Sequence, residues 1–355
     1  MITFVIPSYN NLKHLKNCVT SIHKHAPKAE LIIFDDNSDD GTFEWLENLK
    51  SNNIYIQKTD QRLGHTILYD RGIKLASNNI VGILHADMII GPNYVENIIK
   101  HLKPGKVVCG TRVEPPLHPP GNEKIIENFG LDFDDLNVEA FEQFCIQSQV
   151  TYKDQTTKGM FAPWVINKED FLNMGGHDPG FAPFPYEDSD IFQRWLLAGY
   201  ELIQSRDAFV YHLTCRGHRW NKQIGVNDDY FKVVEEKARK YYIKKWGSWI
   251  ENDAYAHPVL IPVYKKCSIV ENYSPFNGEE FLGDINPENI DDYDVIINLD
   301  LKQINQSDFQ VITQLNKIIQ ETNDIGDFEL GNIKVKIKNI NDISKDPIFI
   351  KNVVS

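Results

Sequence analysis

Ile80-Val-Gly-Ile-Leu-His-Ala-Asp87 (IVGILHAD, residues 80–87) is an apolar run that ends on a histidine and an aspartate. Its length and branched side chains read as a buried strand. Imidazoles and carboxylates avoid burial unless they are paired, so this strand must end at a surface or at a site.

The segments on either side follow the same plan. ITFVIP (2–7), ELIIFDD (30–36), NIYIQK (53–58) and KVVCGT (106–111) are further short apolar runs. Between them lie helical patterns: Leu12, Leu15, Val19 and Ile22 on one face, then TFEWLENLK with Asp39 or Asp40 placed to cap it, HTILYDRGIKLAS and NYVENIIKHL. Strands interleaved with helices predict an α/β fold with a doubly wound, mostly parallel, Rossmann-like central sheet. Ligands bind such sheets outside the carboxyl ends of the strands. PSYN, FDDNSDDGT and HAD, distant in sequence, then share one rim, and three polar clusters on one rim predict a site.

Beyond residue 110 the pattern changes. EPPLHPPGN (114–122) cannot be regular structure and reads as a lid or binding loop, followed by a helix over 134–148. In EDSDIFQRWLLAGYEL, residues Ile191, Phe192, Trp195 and Leu196 face a core, and Trp164 joins Trp195 there. Asp178 and Asp190 read as turn and cap residues. A charged helix is expected over 228–246. From about 251 the strands DVIINLDL and GNIKVKIKNI and a helix near DFQVITQLNKIIQ predict a small C-terminal α+β appendage. The expected division is 1–110, 111–250 and 251–355.

The 355 residues are 42% hydrophobic and 25% charged, as in an ordinary globular protein. Against 50 Asp and Glu stand 37 Lys and Arg, a formal charge of −13, which argues against nucleic acid as partner. No run approaches the ~20 apolar residues of a transmembrane segment. The opening MITFVIPSYN enters a strand without a basic leader, which speaks against a signal peptide. Cys18, Cys109, Cys145, Cys215 and Cys267 show no paired spacing, so reduced thiols and a cytoplasmic location are expected, with peripheral membrane contact left open.

Five motifs in order over residues 1–220 resemble the inverting family 2 glycosyltransferases of GT-A fold. They are VIPSYN, FDDNSDDGT with Asn37 where glycine is usual, and RLGHTILYDRGIKLA, which keeps Gly64, Gly72 and Ala76 but has Arg62 and Asp70 at the asparagine positions. The fourth is HAD at the Asp-x-Asp position, and the fifth is GGHDPGF…YEDSDIFQRW. The resemblance implies a metal-dependent transfer of sugar from a nucleotide sugar, a UDP-sugar above all, to a hydroxyl of a glycan, lipid-linked or protein acceptor, as in polysaccharide biosynthesis.

It also implies roles residue by residue. A divalent metal would bridge the phosphates and stabilise the leaving diphosphate. Asp87 matches the usual direct ligand, and His212, after AFVY, matches a late histidine that would supply a second. His85 stands where the family has its first aspartate; it would ligate the metal, touch the ribose or hydrogen-bond behind the ligands. Exchanging carboxylate for imidazole favours Mn²⁺ over Mg²⁺. Ala86 and His85 would border the nucleotide sugar. Pro7 and Tyr9 would line the base pocket, Asp36 would meet base or ribose, and Arg62 and Arg71 would reach base or phosphates. Asp188 would be the base that deprotonates the acceptor, with Glu187 positioning the acceptor or Asp188 itself. RGHRW (216–220) fits the [Gln/Arg]-x-x-Arg-Trp pattern of processive synthases, with Arg219 at the diphosphate and Trp220 on an acceptor sugar.

Simpler readings stand beside these. DDNSDD makes a turn and a cap in any case, Asp87 would cap the NYVENII helix, and acids suit the start of the EDSD helix. A binding protein without turnover is the alternative function, motivated by HAD and by the departures in FDDNSDD. A sugar-phosphate nucleotidyltransferase would need a Gly- and Arg-rich loop after the first strand, and a dehydrogenase would need Gly-x-Gly-x-x-Gly there; PSYNNLKHL is neither. The appendage is a candidate for homo-oligomer contacts.

Overall fold

The computed structural model describes residues 1–49, 52–183, 185–214, 236–242, 245–246, 250–260, 265–274, 287–300, 302–343 and 345–351. It divides into two compact units, residues 1–238 with 250–260 and 351–355, and residues 239–249 with 261–350.

The first unit runs β1 (Ile2–Ser8), α1 (Leu12–His25), β2 (Glu30–Asp35), α2 (Thr42–Glu47), β3 (Ile54–Lys58), α3 (His65–Leu75), β4 (Ile80–Ile83), β5 (Met88–Ile90), α4 (Tyr94–Ile99) and β6 (Lys106–Glu114). It continues with β7 (Lys124–Ile126), α5 (Val138–Thr151), β8 (Thr156–Lys158), β9 (Trp164–Asn167), α6 (Lys168–Asn173), α7 (Glu187–Leu197) and β10 (Glu201–His212). The main sheet order is β3-β2-β1-β4-β9-β6-β10-β5. β3, β2, β1 and β4 are mutually parallel, as are β6 and β10. β9 runs antiparallel between β4 and β6, and β5 runs antiparallel on β10. The sheet is mixed and mostly parallel, in keeping with the α/β class expected from the sequence.

β1 is buried almost along its whole length, because α1 and α3 cover the sheet. α1 buries Leu15, Cys18, Val19 and Ile22. α3 comes closest at Gly72, where an added Cβ would sit 2.3 Å from Cγ1 of Val5 and 3.1 Å from Phe34. Gly72→Ala therefore sets overpacking of ~1–3 kcal/mol against a helix-propensity gain of ~1 kcal/mol. A net loss of stability is expected in urea unfolding, and a gain would show that α3 can move outward.

The apolar run 80–87 is split in the structure. β4 ends at Ile83, and Met88–Ile90 pairs with β10 instead, Met88 opposite His212. His85, Ala86 and Asp87 are thus a bridge between distant strands of one sheet. Asp87 does not cap the following helix, whose N-cap is Asn93. Asp40 accepts from the backbone N–H of Thr42 at α2 (3.1 Å) and from that of Leu12 at α1 (2.9 Å), so it serves two helix starts.

The expected helix over 134–148 runs from Val138 to Thr151. Trp164 and Trp195 are core residues, edge to face at 5.2 Å. Asp178 is a turn residue, accepting from Gly180 N–H. Asp190 is more than a cap: fully buried, it pairs with the equally buried Arg194 at 2.8 Å. Arg194 also donates to the carbonyls of Met174 and Gly176, which ties α7 to the loop before it. Of the charged helix expected over 228–246, residues 236–242 and 245–246 are helical, and 228–235 and 243–244 lie outside the described residues.

The second unit contains β11 (Lys265–Lys266), β12 (Ile269–Ser274), β13 (Val295–Asp300), α8 (Gln306–Glu321), β14 (Gly326–Leu330), β15 (Ile333–Ile337), β16 (Asn341–Asp342) and α9 (Pro347–Lys351). Its four-stranded sheet has the order β12-β13-β15-β14. Leu315 and Ile319 of α8 pack on Val295, Ile297, Leu299, Ile333, Val335 and Ile337. In β15 these alternate with exposed Lys334 and Lys336, the half-buried pattern of a one-sided sheet. Among the described residues no helix is long and apolar enough to cross a membrane.

Candidate active site

The carboxyl ends of β1, β2 and β4 meet at a pocket of about 290 Å³. Pro7 and Tyr9 line it from the end of β1 and the turn after it, and Asp36 lines it from the loop after β2. That loop passes through Asn37 at φ 66°, a left-handed conformation in which glycine is at ease and asparagine is tolerated. The exchange of glycine for asparagine therefore keeps the turn. Asp36 accepts from the backbone N–H of Leu63 (2.7 Å) and Gly64 (2.8 Å) and from the Thr59 hydroxyl (3.2 Å). Its carboxylate thus holds the 62–64 loop as well as bordering the pocket. Arg62 in that loop places its guanidinium 4.3 Å over the Tyr9 ring, a cation–π contact that covers one of the two ring faces. At Gly64, φ is +85° and a Cβ would lie 2.5 Å from Pro183; this close approach sets His65 beside α7.

His85, Asp87 and His212 form a cluster in the pocket wall, each offering a ligand atom within 4.8 Å of the others. The β5–β10 register makes it, since Met88 faces His212 and Asp87 precedes Met88. Nε2 of His212 lies 3.8 Å from Oδ1 of Asp87. Burial holds the His85 imidazole down to about 3, against the opposing pull of Asp87 and with help from His212. A neutral imidazole keeps a lone pair for a metal. Two imidazoles and a carboxylate are a donor set that first-row divalent cations accept.

Across the pocket α7 opens on Glu187 and Asp188. Burial by itself would raise Glu187, but the charge of His65 and its bond to Oε1 (2.8 Å) outweigh this and bring Glu187 to about 2. Its other oxygen, Oε2, is buried without a hydrogen-bond partner among the described residues. Asp188 goes the opposite way: burial and the adjacent Glu187 charge raise it to about 6, although it accepts from the Ser189 N–H at 2.6 Å. Two neighbouring carboxyls pushed apart in this manner suit different tasks, one fixed as an anion and one able to take a proton near neutrality.

Pro7, Tyr9, Asp36, Arg62, His85, Ala86, Asp87, Glu187, Asp188 and His212 thus share one pocket. Arg71 is not brought there; it lies exposed on α3. Arg219 and Trp220 lie outside the described residues. Sequence reasoning passed over His65 and also His177, which lines the pocket and pairs with Asp70 at 2.7 Å. It also passed over Glu114, Arg112 and Lys124. Glu114 ends β6 and accepts from Arg112 (2.6 Å) and Lys124 (2.9 Å), with His212 Nδ1 at 3.2 Å. These outweigh burial and hold its carboxyl far below the ordinary range. The signal was present in KVVCGTRVE, an apolar strand ending polar as IVGILHAD does.

Residues 3–165 match the family model described as Glycosyl transferase family 2. Validoxylamine A glucosyltransferase of Streptomyces hygroscopicus subsp. jinggangensis (strain 5008) is 23% identical over 238 residues, 59% of this chain and 54% of that protein. Poly-beta-1,6-N-acetyl-D-glucosamine synthase of Staphylococcus aureus (strain COL) is 32% identical over 119 residues, 32% of this chain and 29% of that protein. The chain thus spans about half the length of the first relative and under a third of the second. Similar solved structures include GalNAc-T7 with UDP, GalNAc and Mn²⁺ (TM-score 0.49, 16% identity, 69% of this chain and 50% of that one). S. aureus TarS 1–349 with UDP is another (TM-score 0.44, 12% identity, 68% and 65%).

Proposed function

We propose, from the match of residues 3–165 to the Glycosyl transferase family 2 model, that the chain is a metal-dependent, inverting transferase. It takes a sugar from a nucleotide sugar, UDP-linked, and passes it to a hydroxyl of a glycan, lipid-linked or protein acceptor. The observation that supports this best is one pocket with a possible metal cluster in its wall and, on α7, a carboxyl poised near neutrality.

His85, Asp87 and His212 would hold the cation. When bound, the cation supplies Lewis-acid stabilisation to the departing diphosphate, and two imidazole donors favour Mn²⁺ over Mg²⁺. Asp188 takes the proton of the acceptor hydroxyl as that oxygen attacks the anomeric carbon, in line with and opposite the diphosphate. Glu187 remains an anion, and its unpartnered Oε2 accepts from an acceptor hydroxyl. Tyr9, Pro7 and Arg62 border the base. In this reading residues 1–110 supply the donor wall and 111–250 the acceptor wall. Residues 251–355 are accessory, a candidate for self-association.

Calorimetric titration with UDP, GDP and their sugar conjugates, in Mn²⁺, Mg²⁺ or EDTA, tests the reading. UDP binding that needs Mn²⁺ and disappears in EDTA is expected. No nucleotide binding with any metal would leave a protein that holds a glycan without turnover.

A further inference from the structure

Glu114 is 1% exposed and sits at the carboxyl end of β6, one step past the last register pair with β10, Val113 opposite Tyr211. The parallel pairing therefore sets Glu114 beside His212. The ring of His212 lies between two carboxylates, Glu114 on Nδ1 at 3.2 Å and Asp87 on the Nε2 side at 3.8 Å. Only one ring nitrogen of a neutral imidazole carries the proton, and a metal needs the other. Arg112 and Lys124 occupy Glu114 from the remaining sides. Arg112 in turn stacks on Phe161 at 3.5 Å, and Phe161 lines the pocket. A buried carboxylate with two cations on it stays an acceptor in a fixed place.

We propose that Glu114 is a positioning residue of the metal cluster: it holds His212 as the Nδ1–H tautomer, so that the Nε2 lone pair faces Asp87 and His85. Arg112 and Lys124 fix Glu114 for that task. The inference rests on the metal reading above and extends it to a buried network that spans β6, β7 and β10. Carboxylates behind ligating histidines commonly set metal affinity in this manner, and losing one costs 10–100-fold.

Two measurements on the full chain test it. Nitrogen NMR of ¹⁵N-histidine-labelled, metal-free wild type, with the signal assigned by its loss in His212→Gln, reads the tautomer directly. A proton on Nδ1 is expected; a proton on Nε2 overturns the proposal whatever any variant does. Titration with Mn²⁺ alone then compares wild type with Glu114→Gln and Glu114→Asp. The amide should weaken Mn²⁺ by about 10–100-fold, and the shorter carboxylate should recover part of the loss. Equal affinities in folded Glu114→Gln and wild type would overturn the role of Glu114 while leaving the metal site standing. Wild type that binds no Mn²⁺ would overturn both.

Discussion

Replacing Asp188 by asparagine is expected to lower the rate of sugar transfer by about 10³-fold, within the 10²–10⁴ range of a lost general base, while nucleotide affinity stays within a few-fold. The amide keeps the shape of the side chain and the α7 start but cannot take a proton. In the wild type the base works only when ionised, so activity at limiting substrate should rise with pH through about 6 and then level off. The variant's residual activity should lack that rise. A second consequence separates a poised base from an ordinary helix-start acid. Asp188 is raised from 3.8 to about 6 in the folded protein, so the unfolded chain ionises first and stability falls as pH climbs between those values. At pH 7 that cost is present in full, and below about 4 it is gone. Asp188→Asn should therefore melt above wild type at pH 7, with the difference closing in acid. A variant that is inactive and also less stable at pH 7 would mean that Asp188 serves the fold.

Asp87→Ala carries the second large effect. The substitution removes the carboxylate of the cluster and leaves two imidazoles, a poorer site for a hard cation. Mn²⁺ affinity should fall by at least about 100-fold, beyond what the loss of a supporting residue costs. UDP affinity in Mn²⁺ should fall to the level wild type shows in EDTA, because in the proposed reading Asp87 would help hold the cation that supplies charge stabilisation to the diphosphate. Binding that stays metal-dependent at wild-type strength would remove Asp87 from the site. The backbone should tolerate the change: the Asp87 carbonyl, not its side chain, accepts from Leu213 N–H at 3.3 Å.

Stability and function pull on the same residues here. Asp36 braces the 62–64 loop while facing the pocket, Glu187 is bonded to His65 while Oε2 has no hydrogen-bond partner among the described residues, and Asp190 with Arg194 anchors the helix that begins at Glu187. Each is a polar group whose burial is tolerable because a partner was built beside it. Helix caps and turns account for some of these acids, as Asp40 and Asp178 show. They do not account for an anion and a protonatable carboxyl side by side on α7.

Much of the fold was legible along the chain because hydrophobic periodicity and turn chemistry are local. The alternation of apolar runs with helical faces from Ile2 to Gly110 fixes the parallel half of the sheet, and polar strand ends at PSYN, FDD and HAD mark its rim. The order of motifs separated Asp188 from Asp178, which remained a turn residue. Other features depend on which strands become neighbours, and no local pattern encodes that. β9 enters between β4 and β6; β5 leaves the run that begins at β4 and pairs with β10, which carries Asp87 to His212, while the β6–β10 pairing sets Val113 opposite Tyr211. From these pairings follow the three-residue cluster and the Glu114 network. The residue types of the site are thus a property of the sequence. Its distances and its separated acidities belong to the tertiary structure, because burial and neighbouring charge arise only once distant segments are packed against one another.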